Sequence, residues 1–111
     1  VHNNHGSLTW ENVVVWLSAE VAGGAVAAIS VDTTGVTPKG QASAQAKVVA
    51  DENTAPASQG FSAPTTKATG LSIGNIPAGS VAGIWVRRTA ANTPAVDNDG
   101  VTIRCEGDTA A

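Results

Sequence analysis

Residues Asn75 to Thr89 (NIPAGSVAGIWVRRT) constrain the fold more than any other stretch of this 111-residue chain, because a turn runs there directly into a strand. Pro77 presets its own φ and Gly79 accepts the left-handed region, so a tight reversal carries little strain. After the turn, Ala82, Ile84 and Val86 fall on one face and Val81, Trp85 and Arg87 on the other, which is the two-residue period of a strand. The rest of the chain repeats this pattern in shorter pieces. Twelve Gly and five Pro are scattered without period, Leu occurs three times and Met not at all, so the long side chains that favour helices are scarce.

Leu8 to Ser18 reads as a strand with Leu8, Trp10, Val14 and Trp16 on one parity and Thr9, Val13, Val15 and Leu17 on the other. Both faces are apolar at its centre, as in a central strand that meets the core on one side and a partner or neighbouring element on the other. Trp10 and Trp16 are therefore candidate interface residues. Val21 to Gly24 breaks the pattern, and Ala25 to Asp32 resumes it as a hairpin return or a crossing strand. Ala42 to Ala50 is Ala-rich and reads as a strand on the strength of Val48 and Val49. Asp51 to Gly60 is a polar loop pinned by Phe61, the only phenylalanine. Gly70 to Ile73 is a short strand leading into the Pro77 turn. Val101, Ile103 and Cys105 alternate inward along Val101 to Glu106. That strand and Val81 to Thr89 are expected to be antiparallel neighbours, with Asn98-Asp99-Gly100 as a hairpin turn. In all, about six to eight short strands separated by Gly, Pro and Asn turns predict one all-β domain over residues 1–111, an antiparallel β-sandwich. Val1 to Gly6 looks like the end of a strand whose start is missing. With no Met at the front, the chain is expected to be processed or to be the C-terminal part of something longer, without an N-terminal strand or extension.

The charged residues exclude more than they select. Six Lys and Arg against nine Asp and Glu give a net charge of −3, which argues against a nucleic-acid partner. No apolar run approaches the ~20 residues of a membrane helix, so no membrane partner is expected. Cys105 is alone, which rules out an internal disulfide, and it reads as a buried, inert thiol. His2 and His5 offer two metal ligands at most in a turn with no cluster to complete a site. Asp97 to Gly100 opens like a calcium loop, but the twelfth position is Asp108, not Glu. Asp51 and Glu52 are adjacent and diverge, so a solvated loop is the plainer account. No nucleophile has a base at a recognisable spacing, and no phosphate-cradling glycine motif is present. The chain is thus expected to be no enzyme, with no catalytic residue, cofactor or metal. Arg87 and Arg88 must point to opposite faces of their strand. One should be exposed or paired with a carboxylate, while the other needs a buried acceptor or a partner chain, and both join the candidate interface.

Two function classes remain. One is a structural module that docks on a larger assembly through apolar faces and edge strands. The other is a recognition module that presents loops such as Asp51 to Gly60 and Ala90 to Gly100 to a carbohydrate or receptor. All three tryptophans lie in alternating strands and none in a loop, which favours docking.

A resemblance adds to this. Asn3-Asn4-His5-Gly6-Ser7-Leu8-Thr9 with Asn12-Val13 and Trp16, Ala50 to Pro56 with Phe61 to Pro64, Ile73 to Gly79 with Ile84 to Thr89, and Asn98-Asp99-Gly100 with Glu106 to Thr109 together resemble the C-terminal portion of a group of tailed-bacteriophage and prophage virion proteins. The likeness spans nearly the whole chain and rests on turns and strand ends. Longer members of that group carry an N-terminal extension. The resemblance implies an immunoglobulin-like sandwich on the exterior of the particle. There it would decorate the capsid in symmetric copies, with the major capsid protein, tail proteins and other copies of itself as partners; a tail or fibre component is the alternative. The Ile-Pro-Ala-Gly-Ser spacing is also similar to adhesion-type sandwich domains of bacterial surface proteins.

Overall fold

Val13, Val15 and Leu17 alternate along β1 (Trp10–Glu20), and all three are buried. A strand with such a face needs a second layer to cover it. In the computed structural model, which describes residues 1–40, 45–90 and 94–109, that layer is β2 (Val26–Val31), whose Ala27 and Ile29 pack on Val15 and Leu17. The other strands are β3 (Thr37–Pro38), β4 (Leu71–Ile76), β5 (Ser80–Val81), β6 (Ile84–Thr89) and β7 (Val101–Thr109). All pairings are antiparallel: β4-β1-β7 in one layer, β2-β6 in the other, and β3-β5 as a small ribbon. One 3-10 turn, Lys67–Thr69, is the only helical element among the described residues. The protein is an antiparallel β-sandwich, with seven strands among the described residues, as the alternation predicts.

The core has two parts. Val15, Leu17, Ala27 and Ile29 form the centre, with Val31, Leu71, Ile73, Ile84, Val101 and Cys105 around it. Val13, Ile76 and Ala82 form the second part, flanked by Trp10, Val36, Ile73 and Cys105. Cys105 joins the two, consistent with a packing role. Each large side chain buried here contributes about 1.5–3 kcal/mol.

A bulge in β1 changes which face Trp10 serves. The pairings slip between Trp10 and Val13 on the β4 side and between Glu11 and Val14 on the β7 side, and Asn12 takes φ 52°. The inserted residue reverses the parity, so Trp10 packs with Val13 while Trp16 lies on the opposite face. This corrects the same-face placement expected from uninterrupted alternation. Asn12 N–H donates to Asn75 Oδ1 at 3.0 Å. Gly107 makes the bulge possible, because a Cβ there would stand 2.5 Å from Glu11 O and 2.7 Å from Trp10 Nε1.

The Pro77 turn forms as expected: Ser80 N–H donates to Pro77 O at 3.1 Å, and Gly79 takes φ 71°. The long strand expected after it is instead two. At Ala82 and Gly83 the chain leaves β5, which pairs with β3, and enters β6, which pairs with β2. Asp32 N–H donates to Gly83 O at 2.9 Å, which fixes the corner. Consequently β6 and β7 belong to different layers and are not neighbours, and Asn98-Asp99-Gly100 closes no hairpin. The expected strand over Ala42 to Ala50 is also absent where it can be judged. Residues 45–50 are irregular, residues 42–44 lie outside the described residues, and Lys47 N–H is drawn to Asp32 Oδ2 at 2.8 Å rather than to a ladder. Val1–Asn3 run along β5, with Asn3 N–H donating to Ser80 O at 3.0 Å and His2 opposite Val81.

The two flanks of the sandwich differ. On the β4 side, Ile29 and Ser62 exchange backbone hydrogen bonds of 2.8 and 3.0 Å, and Leu17 N–H donates to Pro64 O at 2.8 Å. Ser62–Pro64 therefore passes from the edge of β2 to the part of β1 beyond its pairing with β4, and laces that flank shut. On the opposite flank β6 and β7 are the edges. Val86 and Ile103 both point inward there, yet they remain 44% and 38% exposed.

Candidate functional site

Alternation fixes which backbone groups the open flank presents. Ile29 N–H points to Ser62, so Ala28 and Ser30 bond β6 through Arg87 and Trp85, and the amides of Val86 and Arg88 point away from β2. By the same logic Leu17 N–H points to Pro64, Trp16 bonds Arg104, and the amides of Ile103 and Cys105 point away from β1. Two edges thus expose ladder donors beside two half-covered aliphatic side chains. Such an edge is a template for another strand.

The four residues singled out in the sequence do not gather in one place. Trp10 is half-buried against Val13 and Ile76 and lines a hollow of about 260 Å³ with Asn3, His5, Leu8, Thr9 and Thr109. Trp16 is only 6% exposed, on the outer face of the other end of β1. The Arg104 guanidinium lies 5.8 Å from its ring and pairs with Glu106, which in turn meets Lys67 Nζ at 3.4 Å, so a charged strap crosses this face. Arg87 and Arg88 point to opposite faces, as expected. Arg88 Nη2 donates to Asp99 Oδ1 at 2.7 Å and to Ala25 O at 2.9 Å. Arg87 finds an aromatic ring rather than a buried acceptor, its guanidinium standing 4.9 Å from the centre of Phe61.

The other groups weighed from the sequence have structural work. His5 Nδ1 accepts from the N–H groups of Ser7 and Leu8, which ties the turn and occupies that nitrogen. Asp51 Oδ1 accepts from Asn53 N–H and Thr54 Oγ1, both at 2.9 Å, and the Thr54 hydroxyl above all holds its carboxyl below the usual range. Asp99 is held low by Ala25 N–H first and by Arg88 second. Burial pushes the Cys105 thiol up, which keeps it protonated. Among the described residues, no three His, Cys, Asp or Glu side chains stand close enough to hold a metal.

Asp32 carries no signal that sequence reasoning could find. It is 2% exposed and accepts from Thr34 N–H at 2.8 Å, Lys47 N–H at 2.8 Å and the Trp85 indole N–H at 2.6 Å. Burial pushes its carboxyl up, but the Lys47 and Thr34 amides and the indole outweigh that and hold it at about 2. Its effect is to fix Trp85 on the outer face of β2-β6. Beside that ring, residues 51–61 arch over a cleft of about 470 Å³ that also takes in Phe61 and Arg87. The signal for this cleft was present in the sequence: Trp85 and Arg87 share the parity opposite Ile84 and Val86, so they face outward.

Compared with family models, curated proteins and solved structures, the chain matches none of them.

Proposed function

We propose that this chain is a non-catalytic, immunoglobulin-like docking module of a tailed-bacteriophage virion, which decorates the exterior of the capsid in symmetric copies. The observation that carries the docking part is the open flank: outward-pointing ladder amides on β6 and β7 that have no backbone partner among the described residues, beside the inward-facing but exposed Val86 and Ile103. The virion assignment rests on the resemblance of the turn and strand-end motifs given above.

The flank also favours an occupant. When β7 pairs antiparallel with β7 of a second copy about Cys105, Arg104 of each copy stands opposite Glu106 of the other, and Thr102 opposite Asp108. No like charges meet in that register, and the outward amides of Ile103 and Cys105 gain acceptors. Many such weak contacts sum through avidity on a particle. Contacts to the major capsid protein then fall to faces outside this strand pair, where half-buried Trp10 and its hollow are the candidate. A tail or fibre component that binds a receptor or carbohydrate is the second reading, and the aromatic cleft at Trp85 favours it.

Electron cryomicroscopy of particles containing this chain tests the proposal. The expected result is density for the sandwich on the outside of the shell in symmetric copies, with β7 edges abutting. Density confined to the tail transfers the function to the second reading, and absence from particles ends both.

A further inference from the structure

We propose that the cleft beneath residues 51–61 is a saccharide-binding site, with Trp85 as its stacking platform and Arg87, Glu52 and Asn53 as its polar rim. The proposal rests on the second reading above and deepens it; because the site lies on the outer face of β2-β6 and not at the β7 edge, failure of its test leaves β7 docking standing.

Trp85 is placed as a platform should be. Its indole N–H is bound inward to Asp32 Oδ2 at 2.6 Å, and that carboxylate is itself held by two backbone amides. The polar edge of the ring is thereby satisfied and its plane fixed, while the side chain remains only half-buried where it lines the cleft. A preset aromatic face loses little freedom when a ligand stacks on it. The loop above is equally organised. Asp51 closes its turn through Asn53 and Thr54, and the Gln59 amide sits 3.0 Å from both Ser30 Oγ and Thr33 Oγ1, anchoring the loop to the layer below.

The composition of the cleft selects the ligand class. Its volume of about 470 Å³ lies within the range of small-molecule sites. A pyranose offers an apolar C–H face to an aromatic ring and a girdle of hydroxyls that both donate and accept. The cleft supplies the matching parts: the Trp85 ring for the face, the Glu52 carboxylate to accept, the Arg87 guanidinium to donate and the Asn53 amide to do both. A purely aliphatic ligand would strip water from these groups and return nothing. A phosphate-bearing strand would meet Asp51 and Glu52 on a chain of net charge −3.

The test is a ¹H–¹⁵N titration of the whole chain with glucose, galactose, rhamnose and N-acetylglucosamine, alongside an array of bacterial surface polysaccharides. The expected result is binding of at least one of these sugars, with the Trp85 indole and Arg87 amide signals moving and those of Trp10 and Trp16 unmoved. Trp85→Ala is expected to weaken binding by at least about tenfold, as truncation of a central aromatic anchor does. Because that change also removes a donor from Asp32, Arg87→Ala and Asn53→Ala provide the independent check. Both alter exposed side chains and are expected to keep the fold while reducing affinity severalfold. Absence of binding across the sugars and the array overturns the assignment. So does binding that survives all three substitutions, or shifts that map to the Trp10 hollow.

Discussion

Ile29 and Val86 are direct cross-strand partners on the inner face of β2-β6, yet one is fully buried and the other is 44% exposed. They differ only in which flank of the sandwich they are nearer. Ile29 sits beside Ser62, where the chain crosses between layers and seals the edge, whereas beside Val86 no such backbone lacing is found among the described residues. Burial in this protein is thus graded across the sandwich rather than uniform within it. The closed flank holds the fold, and the open flank is left to bind.

The most severe test of this contrast is truncation on either side. Ile29→Ala is expected to cost about 3–4 kcal/mol, because the side chain is fully enclosed and its neighbours cannot collapse into the space. Val86→Ala, across the same ladder, is expected to cost under about 1 kcal/mol by urea denaturation. Equal losses would mean that the open flank is as well packed as the laced one. Ile103→Lys sharpens the point, since it should leave the urea midpoint nearly unchanged while abolishing assembly.

Next comes Asp32, which anchors the corner where β5 passes into β6. Asp32→Asn places an amide N–H₂ or a weaker acceptor against donors that now share a carboxylate, and it is expected to destabilise by about 2–3 kcal/mol. The pH dependence has a definite sign. The folded carboxyl titrates at about 2 against an ordinary 3.8, so its stabilisation is complete above pH 4 and is lost as pH falls toward 2. The shift corresponds to about 2 kcal/mol, and acid denaturation curves of Asp32→Asn should lack that component.

How far the sequence reveals such contrasts depends on the range of the interactions. Two-residue alternation is local, so the long strands, the all-β class and the Pro77 turn were legible from composition and spacing alone, whereas the short β3 was not and the strand expected over Ala42 to Ala50 did not form at 45–50. Pairing is not local. Nothing in Val81 to Thr89 announces that Gly83 will accept from Asp32 and divide the stretch between two sheets. Nor does Glu11-Asn12-Val13 announce a bulge, because its requirement for a residue without Cβ is met by Gly107, nearly a hundred residues away. The cleft was half legible: the parity of Trp85 and Arg87 set them outward, but the loop that roofs them and the carboxylate that fixes the indole come from elsewhere in the chain.

Gly107→Ala tests that long-range dependence with a smaller effect. The added methyl would press on Glu11 O and the Trp10 indole, and a loss of about 1–3 kcal/mol is expected, with the Trp10 fluorescence environment altered. Smallest of all is the charged strap over Trp16. Lys67→Ala removes an exposed partner of Glu106 and is expected to change stability by less than about 0.5 kcal/mol, an effect that salt should erase.

Amide hydrogen exchange, measured on the free chain and on the chain docked in its particle, tests the role of the open flank most directly. Docking is predicted to slow exchange at Ile103 and Cys105, the β7 amides that point away from β1, and to leave the already protected Ile29 and Leu17 unchanged. Slowed exchange confined to the Ser62–Pro64 flank, with β7 as fast as in the free chain, would contradict it.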